Sequence, residues 1–237
     1  MSLANQSVFT LQIPRTLNPD TIAGLESRWK QIDFDRCRFV ALRGARDCFC
    51  LGMDLSWLAQ NPDASVADAA RRFGAFLQNL QAAPCITIAL VNGMVTGGGV
   101  GICAACDIVV AGTDSTFRLT EGLLGLAPGI ILPALLSRMT RQAVSKMVFT
   151  AQLCDAREAQ QAGLVDNCVP PDQLEAALYS RIARLGQCKS QSVADLKMLF
   201  RQPPGAQMQA GVDLLLERLQ CPGLQNRLIN LAYLEQL

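Results

Sequence analysis

The chain has 237 residues, of which half are hydrophobic and 17% are charged, a composition typical of a globular protein with a large core. The formal net charge of +1 gives no reason to expect nucleic-acid binding. No apolar run approaches the roughly 18 residues that a membrane span needs, and residues 1–6 do not resemble a signal peptide. We therefore expect a soluble, cytoplasmic protein with no nucleic-acid or membrane partner.

Histidine and cysteine usage narrows the possible chemistry. The chain has no histidine, which excludes Ser-His-Asp and Cys-His catalysis and the usual catalytic zinc sites. Of its ten cysteines, Cys48 with Cys50 and Cys103 with Cys106 have spacings that metal or redox pairs also use. Because no second pair follows at zinc-finger spacing, we expect structural thiols and no metal. Any acid–base chemistry must then be carried out by carboxylates, Lys, Tyr, Cys or bound water.

Strand and helix patterns alternate in the first part of the chain. Asn18 is a suitable cap for a helix with Pro19 in its first turn. Gly52 marks a turn from a short apolar segment into another helix. The predictions here are strands at 9–13 and 37–42, helices from residue 18 and after Gly52, an irregular stretch at 59–68, and a helix containing Phe73, Phe76, Leu77 and Leu80.

The middle of the chain has the most distinctive pattern. Residues 85–91 form an apolar, β-branched run that predicts a buried strand. The triplet Gly97-Gly98-Gly99 follows, and after it a run of small apolar residues. These glycines either let a turn pack closely, or expose backbone N–H groups at a helix start to a ligand. The pattern alone leaves both interpretations open.

The second half predicts a further strand at 107–112 and an isolated carboxylate. Glu121 is the last charge before Arg138 in an almost wholly apolar passage, so it is either a loop residue that reaches water or a functional group with a raised pKa. Helices are predicted at 133–150 and 155–162, a short strand after Gly163, and helices from residue 172 onwards, with breaks near 203–205 and 222–223. Such alternation indicates an α/β core with parallel strands.

Several passages resemble the crotonase (enoyl-CoA hydratase/isomerase) superfamily in the same order. They are residues 49–55, Val91-Asn92-Gly93 with the glycine triplet, Cys106-Asp107-Ile108, Phe117 to Glu121 with Gly125, and residues 159–166. The resemblance spans about residues 11–170 and implies a ββα spiral core, assigned to residues 1–171, although the amino-terminal part has little room for the usual first hairpin. It also implies a helical trimerisation region, assigned to residues 172–237.

The helical tail itself carries apolar residues on more than one face, which favours an oligomer, while a tail folded entirely on its own core is the alternative. With the resemblance, the expected oligomer is a homotrimer or a homohexamer. The residues concerned are Leu214, Leu215, Leu216, Leu219, Leu228, Ile229, Leu231 and Leu234.

The resemblance also implies a site. In this family two backbone N–H groups hold the thioester oxygen of an acyl-CoA or acyl-carrier substrate, and by position these are Leu51 and Gly98. Hydratases of the family have two glutamates; Gly101 stands at the first position and Glu121 is retained as the catalytic residue. The remaining site-loop residues are Gly52, Gly97 and Gly99. No tightly bound cofactor is implied, because CoA or phosphopantetheine belongs to the substrate; candidates to meet its phosphates are Arg15, Arg43 and Arg46.

One glutamate disfavours a general fatty-acid hydratase and fits two subgroups. One comprises Δ3,Δ2-enoyl-CoA isomerases. The other comprises dehydratases of polyketide β-branching cassettes, which convert 3-hydroxy-3-methylglutaryl on a carrier protein to 3-methylglutaconyl. Residues 84–88, 98–102, 117–121 and 132–138, with Arg141-Gln142, resemble the second subgroup more closely. A non-catalytic acyl-thioester-binding homologue is the third alternative, and it gains if Glu121 faces bulk solvent.

Overall fold

The computed structural model describes residues 7–61, 64–202 and 204–219. In chain order its strands are β1 (Ser7–Gln12), β2 (Cys37–Arg43), β3 (Cys48–Cys50), β4 (Ile86–Val91), β5 (Met94–Thr96), β6 (Ile108–Gly112), β7 (Thr116–Arg118), β8 (Cys154–Asp155) and β9 (Asn167–Val169). Its α-helices are α1 (Pro19–Lys30), α2 (Leu55–Gln60), α3 (Ala64–Ala82), α4 (Gly98–Ala105), α5 (Leu132–Arg138), α6 (Arg141–Thr150), α7 (Ala156–Gln161), α8 (Leu174–Leu185), α9 (Ser190–Phe200) and α10 (Pro204–Leu219).

The strands form two sheets, and all but one of the neighbouring strand pairs are parallel. Five parallel strands, in the order β1-β2-β4-β6-β9, make the larger sheet. The smaller sheet has the order β3-β5-β7-β8, and only β8 is antiparallel to its neighbour. The pairs β2–β3, β4–β5 and β6–β7 each pass from the larger sheet to the smaller one before a helical segment. This repeated order is the ββα spiral that the sequence resemblance implied.

The larger sheet is buried on both faces, which explains the continuous apolar runs of its strands. Ile88 of β4 lies between Ala41 of β2 and Ile108 of β6. One core cluster packs this sheet against the smaller sheet and helices α1, α3 and α4. A second cluster covers the other face, where Leu178 and Ile182 of α8 pack on the strands. The helical region therefore completes the core of the sheet, while the boundary between residues 171 and 172 stays a prediction.

The predicted element starts are confirmed at Asn18 and corrected at α3. The Asn18 side chain accepts a hydrogen bond from the Thr21 N–H, and the Thr21 hydroxyl accepts one from the Asn18 N–H. Together they form a capping box. The stretch predicted as irregular up to residue 68 is helical from Ala64. The segment predicted as helical at 133–150 is interrupted at Met139, and Thr140 caps α6. The predicted break at 222–223 and the apolar cluster at 228–234 lie outside the described residues.

Most of the cysteines lie in the core. Cys48, Cys50, Cys103 and Cys106 are buried free thiols, which confirms their prediction as structural residues. Burial raises the pKa of Cys50 and of Cys106 to about 12, so both stay protonated at neutral pH.

Among the described helices, none combines the length and the apolar character needed to cross a membrane.

Candidate active site

The loop after β3 brings a left-handed glycine next to the glycine triplet. Gly52 has φ +77°, and a Cβ atom built there would lie 2.8 Å from the backbone nitrogen of Gly98. A Cβ on Gly99 would lie 2.3 Å from the carbonyl oxygen of Cys50. Glycine is required at both positions because two backbone segments approach more closely than a side chain allows. Close packing and exposed N–H groups, the two interpretations of the triplet, therefore coexist.

The structure corrects the assignment of Leu51 as an oxyanion donor. The Leu51 N–H donates to the carbonyl oxygen of Arg15 at 2.7 Å, and the Leu51 carbonyl accepts from the Thr96 hydroxyl at 2.6 Å. Both backbone groups of Leu51 are thus engaged within the protein, and this N–H is not available to a thioester oxygen.

Met53, two residues further on, has the free donor in this loop. Leu17 and Met53 form a parallel bridge, in which the Leu17 N–H donates to Gly52 and the Asp54 N–H donates to Leu17, each at 2.8 Å. In a parallel pair these two bonds flank the bridged residue, whose own N–H points to the opposite side. No acceptor for the Met53 N–H is found among the described residues. Sequence reasoning missed Met53. The signal that could have identified it is Gly52, because a turn at this glycine changes the direction of the N–H groups that follow.

Helix α4 begins at the glycine triplet, and its first N–H groups have no acceptor within the described ranges of the chain. Gly97 is its N-cap, with φ +50° and no capping side chain, and its own N–H donates to the Arg118 carbonyl at 3.1 Å. The N–H groups of Gly98 and Gly99 lie in the first helical turn, where no intrahelical acceptor exists. Gly98 therefore remains a suitable oxyanion donor, and its N–H and that of Met53 belong to adjoining segments.

Glu121 is half-buried and lies against Gly97, the residue before the Gly98 donor. It begins a 3-10 turn at Glu121–Leu124, and its Oε1 atom lies 3.3 Å from where a Cβ on Gly97 would be. Its Oε2 atom is buried and is the one buried side-chain polar atom in the described part without a hydrogen-bond partner. Desolvation raises the pKa of Glu121, and neighbouring backbone N–H groups only partly oppose this. Of the two interpretations of this carboxylate, the structure supports the functional one.

Position 101 offers no room for a second carboxylate. Gly101 is buried in α4, and a Cβ built on it would lie 2.2 Å from the Cγ2 atom of Ile131. The place of the first glutamate is therefore filled by hydrocarbon. The structure also has two cavities of about 330 and 350 Å³: one lies between α3 and α5, and the other is lined by residues from Gly122 to Ala151. Neither is lined by Glu121, Met53 or Gly98.

The arginines considered for phosphate binding are mostly engaged. Arg15 pairs with Asp47 at 2.7 Å on the surface, and Arg43 forms a bidentate pair with Glu175, one bond of which measures 2.9 Å. Arg46 is exposed, and its guanidinium has no partner among the described residues. Of the three, Arg46 is thus the one free to meet an anion.

Comparisons with known proteins agree on one family. The sequence profile of the enoyl-CoA hydratase/isomerase family matches residues 4–220. The bacillaene synthase dehydratase PksH of Bacillus subtilis is 28% identical over 187 residues, which cover 78% of this chain and 71% of PksH. The (E)-benzylidenesuccinyl-CoA hydratase of Thauera aromatica is 30% identical over 214 residues, which cover 88% of this chain and 80% of that enzyme. The chain spans about half the length of three mammalian mitochondrial relatives.

The fold comparison agrees as well. The crystal structure of an enoyl-CoA hydratase from Mycobacterium smegmatis superimposes with a TM-score of 0.87, at 24% identity, over 97% of this chain and 93% of that chain. At this identity the likeness concerns the fold alone, and it confirms the predicted α/β spiral.

Proposed function

The chain belongs to the enoyl-CoA hydratase/isomerase family, and we propose that it is a lyase that removes water from a branched 3-hydroxyacyl thioester. The observation that carries the proposal is the single carboxylate of Glu121, which lies against Gly97 beside the free N–H groups of Met53 and Gly98, while Ile131 excludes a second carboxylate at position 101. One group must then both accept and donate the proton.

The chemistry needs an oxyanion hole because negative charge develops on the thioester oxygen. The Glu121 carboxylate removes the proton from carbon 2, and the electrons of that C–H bond move onto the thioester as an enolate. Preorganised N–H donors at Met53 and Gly98 stabilise this charge; removal of one such donor costs about 100- to 1,000-fold in rate. A raised pKa makes Glu121 a stronger base toward a weakly acidic carbon.

The second half of the reaction returns the proton. The enolate electrons form the double bond between carbons 2 and 3, while the bond from carbon 3 to the hydroxyl oxygen breaks. The proton held by Glu121 passes to the departing hydroxide and gives water. A tertiary hydroxyl leaves more readily than a secondary one, so a branched carbon 3 suits a site with one carboxylate.

We propose 3-hydroxy-3-methylglutaryl on an acyl carrier protein as the substrate and 3-methylglutaconyl as the product, in polyketide biosynthesis. The likeness to PksH, named as a dehydratase of bacillaene synthase, supports this choice at 28% identity. The CoA thioester of the same acid presents the same reacting atoms and is the alternative carrier. The phosphopantetheine or CoA group arrives with the substrate, and no other cofactor is needed for this reaction.

A Δ3,Δ2-enoyl-CoA isomerase would use the same residues, because one carboxylate can move a proton from carbon 2 to carbon 4. The deciding experiment therefore varies the substrate. The enzyme is incubated with 3-hydroxy-3-methylglutaryl carrier protein and, separately, with 3-hexenoyl-CoA, and each is followed by mass and ultraviolet absorbance. Loss of 18 Da, the mass of water, from the first and no change in the second supports the dehydratase.

The other outcomes are equally informative. Turnover of 3-hexenoyl-CoA alone identifies an isomerase and rejects the dehydratase. Tight binding of either thioester without turnover identifies a non-catalytic binding homologue. Glu121→Gln is the matched negative control, because it keeps the shape of the side chain and removes the base.

A further inference from the structure

Ile131 fills the volume that a side chain at position 101 would enter. A Cβ on Gly101 would lie 2.2 Å from its Cγ2 atom and 2.7 Å from its Cβ atom, well inside van der Waals contact. Ile131 is only 3% exposed, so its branched side chain lies within the packed interior of the protein. The absence of a glutamate at position 101 and the presence of isoleucine at position 131 are therefore one structural feature.

The backbone holds Ile131 in this place. Ile131 is the residue before α5; its N–H donates to the Pro128 carbonyl at 3.2 Å, and its carbonyl accepts from the Leu135 N–H at 3.0 Å. Pro133 in the first turn of α5 restricts the backbone further. These constraints hold the backbone from which the Ile131 side chain projects toward Gly101.

Glu121 and Ile131 both contact the beginning of α4. The carboxylate lies against Gly97, and the isoleucine side chain lies against Gly101, one helical turn further along, or about 6 Å at 1.5 Å per residue. The Gly98 N–H would hold the thioester oxygen of the acyl chain, and Glu121 would deprotonate its carbon 2. Carbon 3 is the next atom of the chain, and it would then lie toward Gly101 and Ile131. The group that meets the substituents of carbon 3 from this side is then hydrocarbon.

We infer that Ile131 is a specificity-determining residue that selects a carbon branch at carbon 3 of the acyl chain. This inference rests on the proposed dehydration. Where two-glutamate hydratases place a carboxylate, this site places a methyl-rich surface, which packs well against a methyl branch and poorly against a water molecule. One methyl group in an apolar pocket changes kcat/KM by about 10- to 200-fold.

The test is the ratio of kcat/KM for two substrates on the same carrier protein, 3-hydroxy-3-methylglutaryl and 3-hydroxyglutaryl, which differ by the branch methyl. We expect the wild-type enzyme to prefer the branched substrate at least 10-fold. Ile131→Ala lowers this ratio about 10-fold, and Ile131→Val, which removes one methyl group and folds more safely, lowers it by a smaller factor. Ile130→Ala is the matched control, because Ile130 is 41% exposed and should leave the ratio unchanged.

The outcomes separate the two hypotheses. A wild-type enzyme that dehydrates the branched thioester, with a ratio that Ile131→Val and Ile131→Ala both leave unchanged, overturns the inference and keeps the proposed function. A wild-type enzyme that dehydrates neither thioester overturns both.

The contact itself is tested without turnover, by a double-mutant cycle on the urea midpoint. Gly101→Ala should lower the midpoint, and much of that loss should disappear in the Ile131→Ala background, since the clash is then relieved. Additive effects would show that Ile131 does not fill this volume and would overturn the inference as well.

Discussion

At the scale of single residues, Glu121 combines an ionisable group with an environment that disfavours its charge. One carboxylate oxygen is sealed from water without a hydrogen-bond partner, and burial raises the pKa of the group above its usual 4.5. A residue placed only for stability would gain from being neutral or hydrogen-bonded. Such an unsatisfied carboxylate is typical of a site where a substrate completes the set of contacts.

The pH dependence of activity should report this raised pKa. Glu121 must be ionised to act as the base, so kcat/KM should fall on the acid side with a midpoint above 4.5. Glu121→Gln should reduce kcat by about 100- to 10,000-fold and abolish this limb of the profile. Glu121→Asp keeps the charge on a shorter stem and should retain part of the rate. An unshifted midpoint in the wild type would contradict burial as the cause.

The roles of the Met53 and Leu51 N–H groups can be tested one at a time. In each variant the backbone N–H is replaced with an ester oxygen, through incorporation of the matching α-hydroxy acid. At position 53 the substitution should lower kcat by about 100- to 1,000-fold and leave the melting temperature nearly unchanged, because this N–H has no acceptor in the part of the chain that the structure describes. At position 51 it removes the bond to Arg15 and should lower stability by about 1 kcal/mol with a smaller effect on kcat. The reverse pattern would restore Leu51 as the donor.

This difference shows how far the sequence could define the site. Glu121 stood out because one charge in an apolar passage is visible in the sequence. The direction of the Leu51 and Met53 N–H groups depends on their pairing with Arg15 and Leu17, more than thirty residues away. No local pattern contains that information, whereas side-chain chemistry at Glu121 needs no partner to be recognised.

At the scale of elements, glycine allows α4 to pack directly on β3. A Cβ on Gly99 would lie 2.3 Å from the Cys50 carbonyl oxygen, so Gly99→Ala forces two backbone segments apart. We expect a loss of about 1–3 kcal/mol in unfolding free energy, measured by urea denaturation. Gly24→Ala is the matched control: Gly24 lies inside α1 with no atom within 4 Å of the added methyl group, and alanine there should stabilise by about 0.5–1 kcal/mol. A neutral Gly99→Ala would contradict the close approach.

Long, periodic elements were predictable and short or aperiodic ones were not. The larger-sheet strands β2 and β4 and helix α1 were predicted, because their apolar runs and capping residues are local signals. The first turn of α3 was missed, since residues 64–68 are small or polar apart from Val66, and one larger apolar residue does not show a helical spacing. The strand at Thr116–Arg118 is only three residues long and is defined by its pairing with β5 rather than by its own sequence.

A buried lysine, Lys197, links helix α9 to the core through hydrogen bonds. The Lys197 Nζ atom donates to Asp107 Oδ2 at 2.7 Å and to the carbonyl oxygens of Cys85 and Leu80 at 3.1 and 3.4 Å. Asp107 Oδ2 also accepts from the N–H and the hydroxyl of Thr87, at 2.7 and 2.9 Å. One ammonium group thus ties a helix of the carboxy-terminal region to the end of α3 and the start of β4.

Removing this ammonium should destabilise the protein. Lys197→Met leaves Asp107 without its cation and should lower the unfolding free energy by about 3 kcal/mol in urea denaturation. Lys146→Met, at an exposed position in α6, should change it by less than about 0.5 kcal/mol. Recovery in the Lys197→Met, Asp107→Asn double variant is expected, because the uncompensated charge is then gone. Equal effects of the two lysine substitutions would exclude the buried pair as a stabilising link.

At the scale of the whole molecule, the carboxy-terminal region divides into an inner and an outer part. Helix α8 covers the open face of the larger sheet through Leu178 and Ile182, which are 1% exposed. Helices α9 and α10 leave larger apolar side chains in solvent, among them Phe200 at 71% and Leu215 at 57% exposed. A surface of this kind is more typical of an interface than of a monomer.

We therefore expect an oligomer with α9 and α10 in its interface, and the family resemblance implies a homotrimer or homohexamer. Light scattering at micromolar concentration should give three or six times the chain mass of 25.6 kDa. Leu215→Glu places a charge in the expected interface and should shift the mass toward that of one chain. Leu55→Glu is the matched control: Leu55 is 55% exposed on α2, which is not one of the two helices of the expected interface, and its substitution should leave the mass unchanged. A monodisperse monomer in the wild type would mean that the exposed leucines and Phe200 are simply tolerated by the single chain. An oligomer that Leu215→Glu leaves intact would place the interface elsewhere on the molecule.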